Sequence, residues 1–143
     1  MMRFRSAKPA LIRATGQVLS SAMADAGKNV VFVRNPSANR PLPYGVLGDI
    51  TETDNFSSKT GFGSEMVQLI RIYASSWSEA DSLAALAIAA LVRRDEVAIE
   101  DPFYVAMRPT LQMNQTIPDR DERGDTYGAA IQIRWRIGQY QEA

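Results

Sequence analysis

The sequence predicts an α+β fold, in which two α-helices pack on a mostly antiparallel β-sheet of four to five strands. Its length and composition fit one compact domain, since the 143 residues are 45% hydrophobic and 22% charged. Two segments have the hydrophobic spacing of helices, and several shorter ones have the alternation or β-branched composition of strands. They follow one another as helix, strand, hairpin, helix and hairpin, an order typical of this fold class. We therefore expect residues 1–143 to form a single domain, with loose ends at 1–8 and 138–143.

The first helix is predicted at residues 9–26. Pro9 suits a first helical turn, and Gly27 suits the position just past a helix end. Apolar residues at spacings of three, four and seven, Leu11 and Leu19 among them, form one stripe that can face a core.

Three strands are predicted next, at residues 30–33, 44–53 and 65–75. The first is a short β-branched run typical of a buried strand, and the other two would form a hairpin. Both faces of 65–75 are apolar, so we expect this strand to be covered on both sides. The segments 34–43 and 54–63 are rich in turn-forming residues and are predicted as loops.

The second helix is predicted at residues 78–94, where an alanine-rich sequence is apolar nearly all round. Such a helix packs closely against a sheet, another helix or a neighbouring subunit. Either Ser76 with Glu79 or Ser78 with Asp81 can cap its N-terminus.

The last third of the chain is predicted to hold strands at residues 97–99, 103–115 and 127–137. The highly charged segment 117–126 is predicted as the loop between the last two. Pro109 indicates an edge position or a break, because proline cannot donate a ladder hydrogen bond.

The composition excludes several kinds of active site. The chain has no cysteine and no histidine, which rules out disulfides, thiol nucleophiles, histidine bases and the common zinc sites. A small Mg²⁺-dependent enzyme would need carboxylates such as Asp49, Asp54 and Glu65 to converge. Solvated hairpin charges are the simpler interpretation, so no catalytic residue, cofactor or metal site is predicted.

Charge and hydropathy also limit the partners. Sixteen basic and sixteen acidic residues balance, whereas a dedicated nucleic-acid-binding module normally carries a basic excess. Arg134 and Arg136 lie on the opposite face of their strand from Trp135, which weakens that alternative further. The longest apolar run, at residues 83–92, is too short to span a bilayer, and no export signal is recognisable, so no membrane partner is expected.

The residues predicted to contact partners come from the turn-rich and charged segments. Arginine forks suit interfaces, an aromatic ring at a hairpin tip can dock into a neighbour, and a run of alternating charges can form ion pairs. The candidate interface residues are Arg34, Arg40, Phe56, Lys59, Phe62, Arg120, Asp121, Glu122 and Arg123.

Several local patterns together resemble a known family. They are Leu42-Pro43-Tyr44 entering a strand, Ser58-Lys59-Thr60-Gly61 in a turn, the strand sequence MVQLIRIYA, and Ser76-Trp77-Ser78-Glu79-Ala80 opening an alanine-rich helix. A charged loop with Asp119 and Asp125, and Gly128 leading into a last strand that ends near Arg136, continue the likeness. Over about residues 9–138 the chain resembles the tail-completion proteins of long-tailed phages, also called tail terminators or tail-to-head joining proteins.

The resemblance implies a non-enzymatic structural protein of the virion tail or neck, assembled in the host cytoplasm. Proteins of this family form a ring, usually a homohexamer, that sits on the last ring of the tail tube and stops its growth. The ring presents a surface to the head connector or stopper protein, and genomic DNA passes through its lumen without sequence-specific binding. The alternative within the same neck is a head-side protein, an adaptor or stopper of the connector.

Overall fold

The computed structural model describes most of the chain. The described residues are 6–34, 40–58, 61–92, 104–106, 109–121 and 124–139.

Two helices and six strands make up the described fold, which confirms the predicted α+β class. The helices are α1 (Lys8–Asp25) and α2 (Trp77–Leu91). The strands are β1 (Val31–Val33), β2 (Tyr44–Ser58), β3 (Gly61–Ala74), β4 (Tyr104–Ala106), β5 (Thr110–Asp121) and β6 (Gly124–Gln139).

The described sheet is five strand positions wide. The order is β1-β2-β3-β6, and β4 and β5 share the position beyond β6. β3 pairs with one side of β6, while β4 pairs with residues 137–139 and β5 with residues 124–134 on its other side. Only β1 and β2 are parallel; the other pairs are antiparallel.

Two strand predictions need correction. The single strand predicted at 103–115 is two strands, β4 and β5, and β5 begins directly after Pro109, which has no N–H to donate to a ladder. The strand predicted as buried at 30–33 is the edge strand β1, where Val31 is 50% exposed. Its β-branched composition indicated a strand but not its place in the sheet. The strand predicted at 97–99 lies outside the described residues.

Both helices pack on the same face of the sheet. α1 contacts β1 and β2, α2 contacts β3, β5 and β6, and the two helices contact each other. The side of β3 and β6 that faces them is buried, and it consists of Met66, Gln68, Ile70, Ile72, Ala74, Ala129, Ile131, Ile133, Trp135 and Ile137. Burial of this apolar layer is the main stabilising contribution in the described fold.

The end of α1 and the start of α2 lie at residues that the sequence indicated. Gly27 adopts a left-handed φ of 72°, the Gly27 N–H donates to the Ala24 carbonyl, and the Lys28 N–H donates to the Met23 carbonyl. This is the Schellman arrangement, which glycine forms without steric cost. At α2, the Ser76 hydroxyl accepts a hydrogen bond from the Glu79 N–H at 3.2 Å. Neither described helix is both long and apolar enough to cross a membrane.

A short chain of polar groups crosses the core between α1 and the sheet. The Trp135 Nε1–H donates to Gln68 Oε1 at 3.0 Å, and Gln68 Nε2 donates to Thr15 Oγ1 at 3.0 Å. Thr15 Oγ1 in turn donates to the Leu11 carbonyl within α1 at 2.8 Å. All three side chains are fully buried, so these bonds replace the water that the groups lose on folding.

Candidate functional site

The segments predicted as contact loops at 54–63 and 117–126 are mostly strand, which corrects those predictions. β2 continues to Ser58 and β3 begins at Gly61, so the first hairpin needs only two connecting residues. β5 continues to Asp121 and β6 begins at Gly124, so the second is equally tight. The candidate residues on these segments therefore belong to two long hairpins.

The hydrophobic pattern could not reveal these strand extensions. A two-stranded ribbon is held by its backbone ladder, which does not require alternating apolar side chains. In addition, the β2–β3 register shifts between Leu47 and Ile50 and again between Thr53 and Phe56. Such bulges break the period-two alternation, so a polar segment resembles a loop in sequence.

The two hairpins extend in opposite directions along the sheet. The β2–β3 hairpin closes beyond the pair Phe62↔Gln139, near the end of β6. The β5–β6 hairpin closes beyond the pair Ala74↔Tyr127, at the opposite end of β3. The two hairpin ends are therefore separated by the length of the sheet.

The candidate interface residues consequently fall in three places. Phe56 and Phe62 lie near the end of the β2–β3 hairpin, where Phe56 pairs with Gly63 and Phe62 with Ser57. Arg120 and Asp121 lie near the end of the β5–β6 hairpin. The third place, beside the β1 edge, holds an exposed Arg34 and a half-buried Arg40. Lys59, Glu122 and Arg123 lie outside the described residues.

A groove of about 540 Å³ runs between the start of α1 and the outer side of β2. Its lining includes three cations, Lys8, Arg13 and Arg34, and one carboxylate, Asp49. None of the three cations forms an ion pair with another described residue. The lining also includes the half-buried Ile12 and Ile50, together with Pro9. The groove is therefore suited to a ligand that combines negative charge with some apolar surface.

Of the groove cations, only Arg34 is among the residues that the sequence predicts to contact partners. The groove residues come from α1, from the chain after β1 and from β2, so no local motif joins them. The available signal is the excess of Lys and Arg near the start of the chain, and this excess does not show which side chains meet.

The second face of the sheet carries a partly apolar surface. Val67, Leu69 and Tyr73 point away from the helices and are half-buried, and no element among the described residues packs over them. The prediction that residues 65–75 are covered on both sides is thus wrong for the described part of the single chain. On this face the ring centroids of Tyr44 and Tyr73 are 5.2 Å apart.

The described carboxylates do not form a catalytic cluster. Glu65 Oε1 lies 2.9 Å from Arg134 Nε in an ion pair. Asp49 lines the groove at the other side of β2. Within the described residues, no group of three or more carboxylates could hold a metal ion. The described carboxylates therefore do not support the magnesium-site alternative.

Comparison with known proteins points in the same direction. The profile of the tail completion protein gp17 family matches residues 10–138. Among curated proteins, none matches significantly.

Several solved structures are similar to this chain, among them the following two, which match nearly all of it. A chain from the virion of a native gene transfer agent particle is 23% identical with a TM-score of 0.73, and the match covers 94% of this chain and 99% of that one. At that identity the likeness shows the fold alone. The gp17 protein of bacteriophage SPP1 is 26% identical with a TM-score of 0.59, and the match covers 94% of both chains.

Proposed function

Because the chain belongs to the tail completion protein gp17 family, we propose that it completes the tail of a phage-like particle by capping the tail tube as a ring of identical subunits. As a member of this family it is a structural protein of the virion tail or neck, and we expect it to catalyse no reaction. The ring would stop growth of the tube and offer its free surface to the head connector.

The observation that carries this proposal is the opposite direction of the two long hairpins. A tail completion subunit needs one contact toward the tube and another toward the head. Hairpin ends separated by the length of the sheet can serve two partners on opposite sides of the ring at the same time.

A ring also requires each subunit to contact two neighbours through two different surfaces. Such heterologous contacts close into a ring when the rotation between subunits divides a full turn. By resemblance to the family we expect six subunits. The chain offers separate surfaces at its two sheet edges and on its open face for these contacts.

DNA passing through the ring should slide rather than bind. Each phosphate neutralised by a cation strengthens a salt-dependent attachment. Since the chain has no net charge, we expect a lumen of acidic or mixed charge instead of a continuous lining of arginine.

Sedimentation with purified particle components tests the proposal. The chain is mixed with tail tubes that lack it, before and after the tubes are sheared into shorter pieces, and separately with heads that carry the connector. We expect the bound amount to follow the number of tube ends and not the mass of tube. Binding in proportion to tube mass contradicts capping, and binding to heads alone supports an adaptor or stopper.

A variant pair on the first hairpin serves as an internal control. Phe62→Ser removes a large apolar side chain near the hairpin end and should lower binding to one of the two partners, either the tube ends or the heads that carry the connector. Ser57→Ala, at the opposite register position, should bind like the wild type.

A further inference from the structure

Basic residues are concentrated at the start of this neutral chain. Residues 1–40 contain seven Lys or Arg and one acidic residue, a net charge of +6. This region contributes α1 and β1, which lie over and beside β2 at one edge of the sheet. Three of its cations, Lys8, Arg13 and Arg34, line the groove between α1 and β2.

The same edge of the sheet leaves part of β2 without a neighbouring strand. β1 ends at Val33, which pairs with Val46. From Leu47 onward no described strand lies on this side of β2, while its other side continues to pair with β3. Residues 47–53, which we call the open edge of β2, span about 23 Å. An unpaired strand edge presents N–H and C=O groups to which an extended segment can add as a further strand.

A bulge in the open edge brings two different side chains to the groove. Asp49 and Ile50 both line it, although successive residues of a regular strand point to opposite faces. The β2–β3 register shifts between Leu47 and Ile50, and a bulge of this kind re-aims a side chain. Glycine suits position 48 because a Cβ atom there would lie 3.0 Å from the Leu69 carbonyl oxygen.

The other wall of the groove is the start of α1, which hydrogen bonds hold beside the open edge. The Ser6 hydroxyl donates to Glu52 Oε1 at 2.8 Å, and the Ala7 N–H donates to Glu52 Oε2 at 3.3 Å. Lys8 follows directly, and Arg13 lies further along the helix. Cationic side chains therefore stand next to unpaired strand backbone.

The charges of the groove are unbalanced. None of its three cations forms an ion pair with another described residue, and they face a single carboxylate, Asp49. Arg13 and Arg34 are exposed, so an incoming segment can reach them. The excess of positive charge favours a ligand with acidic groups.

The other groups of the groove favour a polypeptide over the sugar–phosphate backbone of DNA. That backbone offers negative charge and hydrogen-bond acceptors but no N–H donor, so Asp49 would repel it and the carbonyls of the open edge would stay unbonded. A polypeptide supplies both N–H donors and C=O acceptors. Its apolar side chains can also cover the half-buried Ile12 and Ile50.

We propose that this groove binds an extended acidic segment of a different protein, which adds to the sheet as a strand beyond the end of β1. The backbone of the segment pairs with the open edge of β2. Its carboxylates contact Arg13 and Arg34, and an apolar side chain between them contacts Ile50. Because every described strand of this chain is already paired in its own sheet, the segment belongs to another component of the particle. That choice of partner rests on the proposed function, whereas the site and its chemistry do not.

Backbone and charge have separate roles in this mode of binding. Main-chain hydrogen bonds supply affinity, and alternate side chains of the added strand supply specificity. The exposed cations attract acidic segments and disfavour basic ones. Since these charges lie near the surface, added salt should weaken binding.

Binding of synthetic peptides tests the proposal. The probe is a fluorescently labelled peptide, Thr-Glu-Thr-Val-Thr-Glu-Thr, which is as long as the open edge and places Glu, Val and Glu on one face of a strand. A first control peptide has Lys in place of each Glu. By fluorescence anisotropy at about 50 mM NaCl, we expect the Glu peptide to bind at least about tenfold more tightly than the Lys peptide.

Two N-methylated forms of the Glu peptide test the strand addition. One carries the methyl groups on its Thr residues and the other on its Glu and Val residues, so each form loses the N–H donors of one strand edge. We expect one form to lose binding and the other to bind like the parent peptide, because only one edge of the added strand faces β2.

Two protein variants locate the binding. The groove variant combines Arg13→Glu with Arg34→Glu and should bind the Lys peptide more tightly than the Glu peptide. The control combines Lys28→Glu with Arg71→Glu, which changes the net charge equally at two exposed positions outside the groove. The control should bind the Glu peptide like the wild type.

Several outcomes would overturn the inference. They are a dissociation constant above about 1 mM for the Glu peptide, equal binding of the Glu and Lys peptides, the same effect of both N-methylated forms, and equal losses in the two protein variants. Tighter binding of a DNA duplex that the groove variant loses would assign the groove to nucleic acid. Loss of self-association in the groove variant alone, measured by sedimentation velocity, would assign it to a second copy of the chain.

The proposed function can fail or stand independently of this site. If no peptide binds and the wild-type protein still occupies tube ends, the inference fails and the proposed function stands. If the Glu peptide binds as expected and the protein leaves both tubes and heads bare, the site stands and the proposed function fails.

Discussion

Gln68 shows how a single polar residue can organise the core. It lies on β3 among Met66 and Ile70, and its amide links Thr15 on α1 to Trp135 on β6. The strand pattern places Gln68 on the same face as those apolar neighbours. The pattern cannot supply its partners, because they lie 53 and 67 residues away along the chain. In the described part of the chain, no buried side-chain nitrogen or oxygen lacks a hydrogen-bond partner.

Replacing Gln68 should therefore lower the stability of the fold by a predictable amount. Gln68→Leu leaves the Trp135 N–H without an acceptor and should lower the free energy of unfolding by about 1–3 kcal/mol. Thr15→Val removes one bond of the same chain, so the double variant should lose less than the sum of the two single losses. Denaturant unfolding monitored by Trp fluorescence measures these values.

The matched control is Gln132→Leu. Gln132 is half-buried on the other face of the sheet, and its replacement should change the stability by about 0.5 kcal/mol or less. A Gln68→Leu variant as stable as this control contradicts the role given to the buried amide.

At the scale of elements, the sequence predicts the presence of a helix or strand better than its extent or its covered face. The α2 sequence is apolar nearly all round, and only packing decides that Leu83 and Leu91 are fully buried while Leu86 and Ile88 are partly buried. The sequence does not indicate the hairpin extensions, because they have a backbone ladder but no regular alternation of apolar side chains.

The start of α2 offers a test at this scale, because the sequence allows either Ser76 or Ser78 to be the N-terminal cap. The structure selects Ser76, whose hydroxyl accepts from the Glu79 N–H. Ser76→Ala should lower the free energy of unfolding by about 1 kcal/mol, since one backbone N–H at the helix start loses its acceptor. Ser78→Ala, at the exposed second position of the helix, is the control and should be nearly neutral in the same denaturant titration. Equal losses in the two variants contradict the Ser76 cap.

At the scale of the whole molecule, the important property is polarity along the sheet. The β2–β3 and β5–β6 hairpins extend toward opposite ends of the sheet. In the proposed ring, this arrangement would suit one partner above the ring and another below it.

Only part of this molecular polarity could be predicted. The local patterns were sufficient to identify the family, which the profile match over residues 10–138 confirms. The basic excess before residue 40 can be counted in the sequence. Its location at one edge depends on β1 pairing beside β2, and the groove depends on α1 packing across them, which are long-range contacts without a local signal.

Electron microscopy of the negatively stained wild-type protein, alone and with tail tubes over a range of concentrations, tests the central claim most directly. We expect closed rings of uniform size, or caps at one end of each tube, and counting subunits in projection should give six. Particles that stay monomeric at every concentration and leave both tube ends bare would contradict the assignment as a tail-capping ring.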